Sequence, residues 1–135
     1  MKTILVIDDD ELCRAPAAEM LRRADWQVIE AVDGESGVKM AVQHRPDVIL
    51  CDLMMPRGNG FHVCRAVREH LELRHTKIIV VTGRGDDEAY TRCHKIGVDG
   101  FLTKPLKKEQ LIKAVGETLV AHSGIGRSTG KPGTD

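Results

Sequence analysis

The chain has 135 residues, which suits one domain and leaves little room for a second. Its 20 basic and 20 acidic residues cancel, so no basic footprint for nucleic acid is present and no run of one sign marks a charged tail. It is 41 % apolar yet has only one Trp, one Tyr and two Phe, so any core must be mostly aliphatic.

Short apolar runs alternate with amphipathic stretches. Thr3–Ile7 is a continuous apolar run ending in Asp8-Asp9-Asp10; too short for a helix, it reads as a strand buried on both faces. From Glu11 to Ala24 apolar residues recur at Cys13, Pro16/Ala17, Met20/Leu21 and Ala24, a helical stripe whose first turns Pro16 should bend or loosen. A weaker strand covers Gln27–Ala31. Asp33-Gly34 starts a helix that continues through Gly37–His44 to Pro46, and Asp47–Asp52 is the third strand.

Met55–Gly60 is a loop by its Pro and Gly content, and the helix after it places Cys64, Val67 and Leu71 on one face. Lys77–Thr82 is the fourth strand, broken by Gly83-Arg84-Gly85. Asp86–Ile96 is a helix stopped by Gly97. Gly100–Thr103 is a short fifth strand ending at Lys104-Pro105, and the last helix carries Leu111, Val115 and Leu119. Gly, Ser, Thr, Pro and charge dominate from Ser123 to Asp135, which predicts a disordered tail or linker after a domain spanning 1–122.

Five βα repeats imply an α/β fold with a parallel sheet and helices on both faces. In open sheets of this kind the binding crevice lies at the carboxyl ends of the strands. The strand-end residues are Asp8, Asp9, Asp52, Thr82 and Lys104. Three carboxylates in one crevice repel one another and call for a cation. Oxygen-only ligation suits a hard ion, Mg²⁺ (or Mn²⁺), which takes one or two carboxylates and keeps several waters. A carboxylate beside such an ion is a plausible phosphoryl acceptor, with Lys104 and Thr82 supplying charge and a donor to the same oxygens. Taken singly, each has a plainer role: a strand-end Asp usually caps the next helix, a strand-end Thr bonds locally, and a lone Lys is solvated. The joint pattern is what carries the reading.

The segments ILVIDDD, DVILCDLMMPRGNG, IIVVTGRGD and GFLTKPL, in this order and spacing, closely resemble the motifs of response-regulator receiver domains over about residues 2–121. The resemblance implies a flavodoxin-like doubly wound fold with strand order 2-1-3-4-5. It also implies a two-component signalling role: Asp52 takes a phosphoryl group from a sensor histidine kinase or a histidine phosphotransfer protein. By the same resemblance Asp9 would ligate the metal directly, Asp8 mainly through water, and Met54 through its backbone carbonyl. Thr82 would be the switch hydroxyl, Lys104 the phosphate-pairing lysine and Phe101 the switch aromatic, with a cis peptide before Pro105. Met54 and Arg84, two residues after Asp52 and Thr82, would flank the water that ends the phosphorylated state. A downstream effector would dock through the fourth helix, fifth strand and fifth helix. Such a domain catalyses only its own phosphorylation and dephosphorylation.

Asp10 has no role in the family pattern and is expected to cap the following helix. Pro16 departs from the usual uninterrupted first helix, and Phe101 stands where many relatives carry Tyr. The cysteines Cys13, Cys51, Cys64 and Cys93 form no CxxC pair, so zinc or thioredoxin chemistry has no support, and buried reduced thiols are expected for Cys51 in its apolar strand and Cys64 in its helix. Gly124–Lys131 only superficially resembles a phosphate loop, because Ile125 and Pro132 occupy key slots and no strand precedes it. The six histidines show no ligand spacing. The chain turns acidic within Met1–Asp10, where a signal peptide would stay apolar, and no run approaches a membrane span, so a cytoplasmic location is expected. Two other readings stay open: a small phosphatase using the Asp8-x-Asp10 pair, and a pseudo-receiver that only binds partners.

Overall fold

A computed structural model describes residues 1–56, 60–83 and 87–120. Its strands are β1 (Thr3–Ile7), β2 (Gln27–Ala31), β3 (Val48–Asp52), β4 (Lys77–Thr82) and β5 (Gly100–Thr103). The helices are α1 (Glu11–Arg23), α2 (Gly34–His44), α3 (Gly60–Glu69), α4 (Asp87–Ile96) and α5 (Lys108–Val120), with a short 3-10 turn at Leu71–Leu73. All four strand pairings are parallel, in the order β2-β1-β3-β4-β5. The chain therefore reverses its winding at β1 and β3, which puts the crevice of the sheet at their carboxyl ends.

Each strand feeds both faces, because successive side chains alternate. Leu5, Ile7, Ile49, Cys51, Ile78 and Val80 join a core with Val63, Cys64 and Val67 of α3 and with Ala41 of α2. Ile4, Val6, Val48, Leu50, Ile79 and Val81 form the opposite core with Ala17, Ala18 and Leu21 of α1 and with Leu111 and Val115 of α5. Burial on two sides explains why β1, β3 and β4 read as unbroken apolar runs.

Local chemistry sets the helix ends. The Asp10 carboxylate accepts from the Leu12 N–H at 2.9 Å and the Asp33 carboxylate from the Ser36 N–H at 2.7 Å, so both are N-caps. Pro16 lies within α1 on its exposed side, so the carbonyl of Leu12 that loses its helical donor can turn to water. Gly97 ends α4 with φ +99°, a conformation that costs other residues more.

Leu71 corrects one expectation. It does not extend the apolar face of α3, which ends at Glu69; it lies in the 3-10 turn, 75 % exposed, while Leu73 takes the buried place. The tighter turn rotates the stripe by a residue or two relative to an α-helix. Cys51, Cys64 and Cys93 are buried free thiols, and Cys13 is half-buried. The hydrogen bond with Cys64 and then burial push the Cys51 thiol well up, and burial pushes Cys93 up to about 12. The expected tail, 123–135, lies outside the described residues. Among those residues no helix is long and apolar enough to cross a membrane.

Candidate functional site

The site is assembled from the carboxyl ends of β1, β3, β4 and β5. The Asp8 N–H bonds to the Ala31 carbonyl at 3.2 Å, continuing the β1–β2 ladder one residue beyond the strand. The Leu53 N–H bonds to the Val81 carbonyl at 2.9 Å and the Lys104 N–H to the Thr82 carbonyl at 2.8 Å, which hold the ends of β3, β4 and β5 level. The backbone is thus fixed on each side of Asp52, and its side chain has little freedom of aim.

Asp8, Asp9 and Asp52 offer carboxylate oxygens that all lie within 4.8 Å of one another, and among the described residues they form the one His/Cys/Asp/Glu group able to hold a metal ion. Asp8 is 6 % exposed and Asp52 5 %, whereas Asp9 faces solvent. Lys104 reaches between the buried pair, with its Nζ 3.2 Å from Asp8 Oδ2 and 3.3 Å from Asp52 Oδ2. One ammonium against three carboxylates leaves the cluster negative, and an all-oxygen donor set of this kind fits a hard divalent cation.

Further bonds orient the acids. The Asp10 N–H donates to Asp8 Oδ1 at 2.9 Å and the Met54 N–H to Asp52 Oδ1 at 3.1 Å. Burial raises the Asp8 carboxyl above its ordinary value; the Asp10 N–H opposes this, the Asp52 charge adds to it and Lys104 opposes it. Burial works against the Lys104 charge, but Asp52 and Asp8 outweigh it and push Lys104 up to about 12. The ammonium is therefore charged at any physiological pH.

The other predicted residues fall around this centre. Thr82 ends β4 and is 1 % exposed. The Lys104–Pro105 peptide is cis. Met54 is 59 % exposed at the rim, and Arg84 lies outside the described residues. Phe101 is not part of the acidic cluster. It is half-buried on β5, edge-on to Tyr90 of α4 with ring centroids 5.6 Å apart.

Three residues around the site escape a reading by motif. Tyr90 pairs with Phe101, and the scarcity of aromatics was the only hint that each would matter. Arg14 of α1 donates to the Asp8 carbonyl at 3.0 Å while pairing with Glu30 at 3.1 Å, so β2 braces the loop that carries Asp8. Gly60 sits where a Cβ would lie 2.4 Å from the Asp52 carbonyl oxygen, so the first turn of α3 packs directly on the strand end.

A family model described as the response regulator receiver domain matches residues 4–116. Protein PilH of Pseudomonas aeruginosa is 33 % identical over 119 residues, spanning 88 % of this chain and 98 % of that protein. The transcriptional regulator RpaA of Synechocystis is 35 % identical over 115 residues, but the match spans 85 % of this chain and only 48 % of RpaA, so the chain corresponds to about half of that larger relative. Among solved structures, chemotaxis protein CheY4 of Vibrio cholerae superposes with a TM-score of 0.84 at 30 % identity, covering 87 % of this chain and 98 % of that one. Fold, strand order and family model agree, and the chain belongs to the response regulator receiver domain family.

Proposed function

We propose that this domain is a phosphoacceptor of a two-component system, in which Asp52 takes a phosphoryl group and the change alters partner binding. The observation that carries the reading is the Asp8–Asp9–Asp52 cluster with Lys104 set between its two buried members. Mg²⁺ or Mn²⁺, held by Asp8, Asp9, Asp52 and the Met54 carbonyl, would neutralise charge on the transferring oxygens. An Asp52 oxygen attacks the phosphorus of a phosphohistidine or acyl phosphate. The bond to the leaving nitrogen or oxygen breaks with its electron pair, and Asp52 is left as an acyl phosphate. Lys104 pairs with a phosphoryl oxygen, and the Thr82 hydroxyl donates to another.

The reading puts the domain in the cytoplasm, and its partners are a sensor histidine kinase or histidine phosphotransfer protein and an effector that reads α4, β5 and α5. The domain would act catalytically only on its own phosphorylation state. The phosphatase alternative has no use for Asp52, Thr82 and Lys104 at the neighbouring strand ends, and its second acid, Asp10, caps α1 through the Leu12 N–H. A pure binder has no use for four chemically matched strand ends.

The test is incubation with acetyl phosphate and Mg²⁺, followed by intact-protein mass spectrometry. One phosphoryl group is expected on wild type and none on Asp52→Asn or in excess EDTA. An adduct of equal yield on Asp52→Asn would refute the assignment.

A further inference from the structure

Away from the acidic cluster, α3 and α4 wall a cleft of about 380 Å³ lined by Arg65, Arg68, Glu69, Arg92, Lys95 and Ile96. Four basic side chains line it on a chain whose formal net charge is zero, and one of them, Arg68, is paired with Asp99. Arg68 is fixed by the Gly97 carbonyl at 3.0 Å, the Thr76 carbonyl at 2.8 Å and the Asp99 carboxylate at 2.9 Å. The Arg92 guanidinium is held 3.9 Å from the centroid of the Phe61 ring. Arg65, Arg92 and Lys95 are exposed, and among the described residues none of the three forms an ion pair. Glu69 is the one carboxylate in the lining.

We propose that this cleft is a binding site for a small molecule bearing two linked phosphates. The Arg92 guanidinium is held over Phe61 before any ligand arrives, which lowers the ordering cost of binding, whereas Arg68, whose N–H groups go to the Gly97, Leu73 and Thr76 carbonyls and to Asp99, braces the wall and leaves Arg65, Arg92 and Lys95 to meet the anion. Planar guanidinium forks match phosphate oxygens in pairs, and the ammonium adds a point charge. The volume lies at the small end for ligand pockets, which fits a compact polyanion. The cations converge on one hollow and do not run in a stripe, the pattern a nucleic-acid backbone would require. An anion here would tie α3 to α4, and the site does not depend on phosphorylation of Asp52.

The probe is pyrophosphate, titrated into the ¹⁵N-labelled chain at constant ionic strength in EDTA. Backbone amides and arginine Nε–H resonances are followed by NMR. Saturable shifts are expected at Arg65, Arg92 and Lys95, with binding weakened about tenfold or more in Arg65→Gln/Lys95→Gln. Both side chains are exposed and form no ion pair among the described residues, so the variant should fold; its native amide spectrum checks this. Shifts confined to the surroundings of Lys104 and Thr82 would overturn the proposal, as would unchanged affinity in the variant. Equal binding of citrate would overturn the phosphate assignment. Tighter binding of an oligoglutamate peptide would assign the cleft to a protein partner instead.

Discussion

At the level of single residues, Lys104 governs the balance of the site. Its ammonium lies within 3.3 Å of both buried carboxylates, and its side chain is 22 % exposed. Removing one member of a fully buried ion pair costs about 3–5 kcal/mol because the other charge is stranded. Here solvent reaches the lysine and Asp9, so Lys104→Gln should cost less, about 1–2 kcal/mol, seen as a lower urea midpoint at constant slope. Much of that cost is repulsion between Asp8 and Asp52. Asp52→Asn should therefore be stabilising by itself and should recover most of the loss in the double variant, so the two effects will not add. Additivity within error would mean that Lys104 does not compensate this pair. The same lysine was legible beforehand as a strand-end cation, but its double contact was not. Spacing can place Lys104 on a strand end; only the folded register sets how far its head reaches.

The elements carry their own constraints, and Gly60 shows the tightest. A Cβ there would lie 2.4 Å from the Asp52 carbonyl oxygen and 2.6 Å from Leu53 Cα, both backbone atoms that cannot step aside. Overpacking by a methyl group typically costs about 1–3 kcal/mol. Gly60→Ala should reach the upper part of that range and should also slow phosphorylation, because relief must come from moving the end of β3. A variant with normal stability and normal phosphorylation would show that α3 can shift freely. The second element-scale prediction concerns switching. Phe101 rests edge-on against Tyr90, which couples β5 to α4. Adding beryllofluoride, a phosphate mimic, should shift the resonances of Tyr90 and Phe101, and Thr82→Ala should remove the Phe101 shift while leaving Asp52 able to accept phosphate. Shifts that survive Thr82→Ala would break the proposed link. β4 and β5 were readable residue for residue, since a short apolar run stopped by Gly83, and another opened by Gly100 and stopped at Lys104-Pro105, admit few alternatives. The end of α3 was not, because a 3-10 turn and an α-helix share the same apolar spacing for a few residues, and only packing chose Leu73 over Leu71.

For the whole molecule, the sequence already contained the two features that decide the site: five βα repeats and a matched residue type at each of four strand ends, those of β1, β3, β4 and β5. The parallel sheet with β1 and β3 at its centre then brings Asp8, Asp9 and Asp52 together although 44 positions of sequence separate Asp8 from Asp52. What the pattern could not supply was the energetic consequence of placing them there. Asp8 binds its proton more tightly folded than unfolded, because burial and then Asp52 disfavour its charge by more than the Asp10 N–H and Lys104 favour it. A group with a raised folded value contributes stability fully below its unfolded value, ordinarily 3.8, and loses it as pH rises through the folded value. The metal-free domain should thus lose this contribution on going from acid toward neutral pH. A divalent ion held by the same cluster would favour deprotonated Asp8, so its stabilisation would have the opposite pH dependence. At ten times the dissociation constant it should amount to about 1.4 kcal/mol, or a few degrees in Tm. The measurement is the difference in urea midpoint with Mg²⁺ and with EDTA at a series of pH values, a difference in which groups remote from the cluster cancel. It should be present at neutral pH, fade as pH falls through the Asp8 value, and be absent at all pH values in Asp9→Ala. A difference that persists below pH 3.8, or survives in Asp9→Ala, would place the ion elsewhere on the molecule.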